Sequence, residues 1–136
     1  MLRTFLLAKI HDCLLTAAHL DYTGSIAVDS LLLDAAGILP GEQVQVANLS
    51  QGQRLFTYAI PAPPGSGRIE LNGAAAHHGR PGDRLILMTY GQLSAPEWLS
   101  HRARLVFVDG HNHLLRVAEQ AVIDPHLPGG ATQRLD

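Results

Sequence analysis

The chain has 136 residues, 46% hydrophobic and 16% charged, with a formal net charge of −2, a balance that suits one globular domain with a single core. It carries no run of like charge that would offer nucleic acid a broad basic face, and no segment approaches the roughly 18 apolar residues of a membrane span. One cysteine, Cys13, excludes an internal disulfide and fits a reducing compartment.

The opening Met1-Leu2-Arg3-Thr4-Phe5-Leu6-Leu7-Ala8 resembles the start of a signal peptide, but Lys9, His11 and Asp12 break the apolar run too early. A soluble cytoplasmic protein is expected. Residues 2–15 mix leucine, aromatic and polar positions with no helix cap before them, which predicts a strand to about residue 12. Lys9 and His11 share a parity and so one face. Lys9 is the sole lysine beside nine arginines, which makes it a candidate functional cation; a snorkelling strand lysine reads the same way.

A second extended stretch passes Leu20 and Tyr22 into Gly24-Ser25 and continues as Ile26-Ala27-Val28. Gly24-Ser25 by itself reads as a turn. Asp29-Ser30 caps a short helix over Leu31–Ala36, which Gly37 stops. Alternation over Gln43-Val44-Gln45-Val46 predicts a half-buried strand, and after a turn at Gln51-Gly52 a second runs from Arg54 to Ile60. In it Arg54, Phe56, Tyr58 and Ile60 take one face, Leu55, Thr57 and Ala59 the other.

Pro61 to Gly67 reads as a surface loop. Arg68–Leu71 is a predicted strand ending at Asn72-Gly73, before a short helical segment Ala74–His78 stopped by Gly79. The turn Pro81-Gly82-Asp83 leads into a strand over Arg84–Tyr90, and Ser94–Leu99 reads as a helical turn with Pro96 near its start. Strands at Arg104–Asp109 and Leu114–Val117 flank Gly110-His111-Asn112, and the tail from Asp124 is expected to fray.

One unit occurs twice. Gly37-Ile38-Leu39-Pro40-Gly41-Glu42 and Gly79-Arg80-Pro81-Gly82-Asp83 align with Pro40 on Pro81, 41 residues apart. Each follows a short alanine-bearing helix and precedes a strand. A closed pseudo-twofold barrel is the expected solution, since neither unit buries its sheet face alone; a two-sheet sandwich remains the alternative.

Lys9-Ile10-His11, Tyr22-x-Gly24-Ser25, Leu33-Asp34-Ala35-Ala36-Gly37-Ile38, Arg54-x-x-Thr57-Tyr58-Ala59-Ile60 and Asn72-Gly73-Ala74-Ala75-Ala76-His77 stand in order. Together they resemble the aspartate 1-decarboxylase family over residues 1–117. The resemblance implies a mainly β fold, a six-stranded double-psi β-barrel with short helices, over residues 1–117, followed by a tail at 118–136. It also implies self-cleavage between Gly24 and Ser25, leaving a covalent pyruvoyl group derived from Ser25, with no metal and no pyridoxal phosphate. That group forms a Schiff base with L-aspartate and serves as electron sink for release of CO2 and β-alanine.

By the same resemblance Thr57 is the hydroxyl donor of self-processing and also a substrate-binding residue, and Tyr58 is the proton donor of the reaction. Arg54 and Lys9 meet the two substrate carboxylates, Gly73, Ala74 and Ala75 offer backbone N–H groups and room, and His11, Tyr22 and Asn72 support the site. Gly24 is expected to be required because a Cβ would hinder the strained, closely approached backbone. Thr57 lies opposite Arg54 and Tyr58 by strand parity, and the family's answer is a homotetramer with sites between subunits; a maturation factor is a further candidate partner. Ala47 is small where relatives often carry bulk, which would loosen a pocket wall. His77-His78 point apart and Cys13 has no motif, so neither metal nor thiol chemistry is expected. Two other readings remain: a non-catalytic binding barrel whose Gly24-Ser25 is an ordinary turn, and a serine hydrolase pairing Ser25 with one of eight histidines, which no nucleophile-elbow motif supports.

Overall fold

The structure is a computed structural model that describes residues 1–121. Nine strands carry these residues: β1 (Arg3–Leu14), β2 (Ala17–His19), β3 (Ser25–Asp29), β4 (Gln43–Asn48), β5 (Arg54–Ala62), β6 (Ile69–Asn72), β7 (Arg84–Leu93), β8 (Arg102–Val108) and β9 (Leu114–Ala121). Helices α1 (Ser30–Ala36) and α2 (Ala95–Ser100) and a 3-10 helix at Gly73–His78 fill connections between them. A mainly β chain with short helices is the expected class. The strands pair in the order β2-β6-β3-β5-β4-β7-β1-β8-β9, an open run ending at β2 and β9 rather than a closed six-stranded ring.

The core follows from alternation along these strands. Ile10, Ile26, Val28, Val44, Val46, Ile69, Leu71, Leu85, Leu87 and Val106 are all but inaccessible, and α1 adds Leu32 and Leu33. Asp29 accepts from the Leu31 N–H at 2.9 Å as the cap of α1, and Gly37 ends the helix with φ of 72°, as expected. Lys9 and His11 are half-buried opposite the buried Ala8 and Ile10. Beyond them β1 carries an extra residue between its pairs Ile10–Leu87 and Cys13–Leu85. Asp12 takes up that bulge with φ of 55°.

The repeated unit holds at the level of single hydrogen bonds. Glu42 N–H donates to Leu39 O at 3.0 Å, and Asp83 N–H to Arg80 O at 2.9 Å. The Glu42 carboxylate accepts from Leu39 N–H at 3.0 Å, that of Asp83 from Arg80 N–H at 2.9 Å. Each turn glycine then reaches a distant segment: Gly41 N–H donates to Ala59 O at 2.7 Å, Gly82 N–H to Leu15 O at 2.8 Å. The strands that leave the two turns, β4 and β7, pair antiparallel with each other.

Three expectations need correction. The extended stretch before Gly24 ends at His19, and residues 20–24 turn. Pro61 and Ala62 belong to β5, not to a loop, and pair with Val28 and Asp29; β4 leaves β5 after Tyr58, so proline's missing N–H interrupts no second ladder. β9 runs on through Ala121, beyond the expected end at Val117. The fraying expected from Asp124 lies outside the described residues.

Candidate active site

Gly24-Ser25 enters the sheet where one neighbour is in place and the other is not. Ser25 already pairs with Asn72 across the antiparallel β3–β6 ladder. On the other side, the parallel β3–β5 ladder starts only at Ile26–Ala59. Carried back, that register sets Ser25 level with Tyr58 and Gly24 level with Thr57. The opening is a cleft of about 380 Å³ bordered by Gly24, Leu55 to Tyr58, Ala74, Ala75 and His78. Thr57 and Tyr58 have opposite parity, yet both border it, because the cleft runs along an edge of β5 rather than over one face.

Ser25 is 1% exposed. Its Oγ accepts from Asn72 Nδ2 at 3.0 Å and donates to Thr23 O at 3.4 Å. Asn72 Oδ1 is buried without a hydrogen-bond partner, an arrangement that ordinarily costs about 1–3 kcal/mol. Gly24 and Gly73 differ in the space around them. A Cβ on Gly24 would meet nothing nearer than Asn72 O at 3.9 Å, whereas one on Gly73, whose φ is 65°, would lie 2.7 Å from both Cα and N of Gly24. Gly73 is the residue that cannot carry a side chain.

Lys9 does not reach this cleft in its own chain. The direct pairs Phe56–Gln45, Gln45–Met88 and Met88–Lys9 form one cross-sheet row, so Lys9 and Phe56 share a face three strand spacings, roughly 14 Å, apart. Arg54 stands on that face of β5, exposed and outside the cleft lining. His11 packs edge-on against Phe107, ring centroids 5.7 Å apart. Tyr22 stacks on His19 at 4.5 Å, and its backbone O comes within 2.9 Å of the Cβ position at Gly73. Ala47 is buried between Arg54 and Ile86 on the neighbouring strands and does not line this cleft.

Residues 1–115 match the Aspartate decarboxylase family. The chain belongs to that family. It is 57% identical over 118 residues to Aspartate 1-decarboxylase of Acaryochloris marina, an alignment covering 87% of this chain and 90% of the relative. The protein of the same name from Trichormus variabilis is 59% identical over 117 residues, 86% and 92% of the two chains. That from Listeria monocytogenes serotype 4a is 47% identical over 114 residues, 84% and 90%.

In this aspartate decarboxylase family member the cleft has one wall that sequence reasoning passed over. In the sequence His78 stands out only as one of two adjacent histidines, His77-His78. Inside a 3-10 helix, residues three apart eclipse one another, so Ala75 and His78 fall on one side, and both border the cleft. The spacing from the Ala-rich motif carried that signal. Among the described residues no cluster of three or more His, Cys, Asp or Glu could hold a metal ion, and no helix is long and apolar enough to cross a membrane. Burial pushes the Cys13 thiol up to about 12, and its Sγ lies 3.5 Å from Leu85 O; a thiolate there is out of reach at neutral pH.

Proposed function

We propose that the chain is a pyruvoyl-dependent aspartate 1-decarboxylase that converts L-aspartate to β-alanine and CO2 for pantothenate synthesis. It makes its cofactor by cutting Gly24–Ser25. The meeting of Gly24, Thr57 and Tyr58 in one cleft, with the Ser25 hydroxyl held by Asn72, carries this reading. Family membership and the relatives' name add the substrate.

Ser25 Oγ attacks the Gly24 carbonyl carbon, and the C–N bond to Ser25 gives way to an ester. Asn72 holds the hydroxyl, and Thr57, level with Gly24 across the unpaired edge, gives a hydrogen bond to the oxyanion. Loss of the Ser25 α-proton expels Gly24 as a carboxylate and leaves a dehydroalanine. Water hydrolyses it, releasing ammonia. The surroundings of Ser25 fit the resulting group: Asn72 Nδ2, which now donates to the Ser25 hydroxyl, would offer a buried N–H to a carbonyl oxygen there.

A pyruvoyl group at position 25 would supply the electron sink for loss of the substrate α-carboxylate. Tyr58 returns a proton to the substrate α-carbon. Leu55 and Phe56 keep the cleft partly dry, and Gly73, Ala74 and Ala75 let substrate come close to the backbone. Lys9, too far away in its own chain, meets substrate from a neighbouring subunit, and Arg54 holds a carboxylate from the shared face. The protein works in the cytoplasm as a homotetramer with sites between subunits, and the exposed Phe56, Tyr58 and Tyr90 are suited to such a contact; a maturation factor is a candidate partner.

The six-stranded double-psi barrel also has support. Only Leu15 and Thr16 separate β1 from β2, and Thr16 joins β6: its N–H donates to Ile69 O at 2.8 Å and its Oγ1 accepts from Ile69 N–H at 3.0 Å. With β1 and β2 counted as one bent strand, β1/β2-β6-β3-β5-β4-β7 returns to its start.

Intact mass of the purified protein tests the reading. Two fragments are expected, residues 1–24 and a piece beginning at position 25 that resists Edman degradation. Ser25→Ala should fold, stay whole and leave aspartate untouched. A chain still whole after prolonged warming, without aspartate turnover, would return Gly24-Ser25 to an ordinary turn in a binding barrel.

A further inference from the structure

Residues Leu20 to Gly24 lead into the bond to be cut, and all five are exposed. The core therefore gives this turn little anchorage. Its backbone lies against Gly73, where Tyr22 O and the N and Cα of Gly24 crowd the Cβ position. Its one aromatic ring, Tyr22, lies nearly flat on the imidazole of His19, with centroids 4.5 Å and planes 19° apart. We infer that His19 is a positioning residue for the cut at Gly24–Ser25. Its ring is the platform that steadies the Tyr22 turn, and so the Gly24 carbonyl, in front of the Ser25 hydroxyl. The inference rests on the self-cleavage reading above.

The strand that places His19 also places the nucleophile. β2 and β3 flank β6, and the direct pairs His19–Asn72 and Ser25–Asn72 set these three residues in one cross-sheet row. Side chains in such a row share a face. Asn72 Nδ2 holds Ser25 Oγ at 3.0 Å. Glu70, two residues earlier and on the same face of β6, meets His19 Nε2 at 3.4 Å. The imidazole is thus fixed at its edge by Glu70 and covered on its face by Tyr22, while Tyr22 N–H donates to His19 O at 3.4 Å. One strand carries both sides of the reaction, the nucleophile through Asn72 and the turn of the electrophile through Glu70, His19 and Tyr22. His19 stands two strand spacings from Ser25, roughly 9–10 Å, so it acts through Tyr22 and not on the reacting atoms. A carbonyl displaced by about 1 Å slows an oriented attack by up to about a hundredfold, which is why so small a contact matters.

The test follows the cut over time by intact mass in wild type, His19→Ala, His19→Phe, Tyr22→Ala and the His19→Ala/Tyr22→Ala double variant. His19→Ala should cut about three- to tenfold more slowly, the worth of one stacked ring pair. His19→Phe keeps a flat ring for Tyr22 and should cut within about twofold of wild type. The double variant should cut no more slowly than the slower single one, because both substitutions remove the same contact. A wild-type rate in His19→Ala, a His19→Phe as slow as His19→Ala, or losses that simply multiply in the double variant would overturn the inference. If His19→Ala fails to fold, His19→Leu against His19→Phe decides, equal rates overturning it. A wild-type chain that never cuts sinks the self-cleavage reading and the inference with it, whereas a wild type that cuts beside an equally fast His19→Ala sinks the inference alone.

Discussion

Gly73 and Gly24 touch backbone to backbone: the Cβ position on Gly73 lies 2.7 Å from Cα and from N of Gly24. The two glycines are therefore unequal. Gly73→Ala must strain a residue at φ of 65° and push the turn at Tyr22–Gly24 aside, at about 2–4 kcal/mol. Gly24→Ala, with 3.9 Å to its nearest neighbour, should cost about 1 kcal/mol or less. Thermal denaturation of both variants in a Ser25→Ala background, where no chain break intervenes, checks the order.

Asn72 makes the hydrogen bond to the Ser25 hydroxyl. On the proposed self-cleavage, Asn72→Ala should slow the cut at least tenfold, since the buried Ser25 hydroxyl loses the group that orients it. It also removes an unpartnered oxygen, so the stability loss should stay near 1 kcal/mol. Fragment ratios on denaturing gels over time, together with a melting curve, separate the two effects.

Asp29 is a structural centre far from the cleft. Its buried carboxylate accepts from Leu31 N–H at 2.9 Å, Gly65 N–H at 3.0 Å and Gly67 N–H at 2.9 Å, joining α1 to the loop before β6. Asp29→Ala leaves three donors without their acceptor and should cost about 3–5 kcal/mol. Urea unfolding of this variant beside Ser30→Ala, at a half-buried neighbour, measures it.

Asp12 pairs with Arg84, its Oδ1 accepting from Arg84 Nε at 2.6 Å. The hydrogen bond from that guanidinium holds the Asp12 carboxyl below its ordinary value of 3.8, with the Arg84 charge adding to it. A depressed folded-state value means that the pair stabilises above the ordinary value and loses its effect as pH falls through the folded one. Asp12→Asn keeps a residue that tolerates positive φ and removes the charge. It should melt slightly below wild type at pH 7, with the gap closing as pH falls below the ordinary carboxyl value of 3.8.

Most of the fold was legible because its punctuation is local. Asp29 and Gly37 bracket α1, and the Pro40-Gly41 and Pro81-Gly82 turns announce the repeat, with bonds made within a few residues of each motif. Pro61 misled because what matters is whether a second strand lies beside β5 at that point, a long-range fact. The cleft was half legible. Thr57 and Tyr58 stood in the motif, but their shared access depends on where the β3–β5 ladder begins. His78 depended on a 3-10 rather than an α period, and the burden on Gly73 rather than Gly24 on a contact between segments 49 residues apart.

β1 lies between β7 and β8, and β2 against β6. A break at Gly24–Ser25 leaves both strands in a separate short peptide that is woven through the sheet of the longer one. Unfolding then changes molecularity, because two species part and must find each other again. The melting temperature of the cut protein should rise with its concentration, while the whole chain's should not. The cut would make the fold a one-way product: easily reached from the intact chain, and regained from its pieces only by a slow encounter.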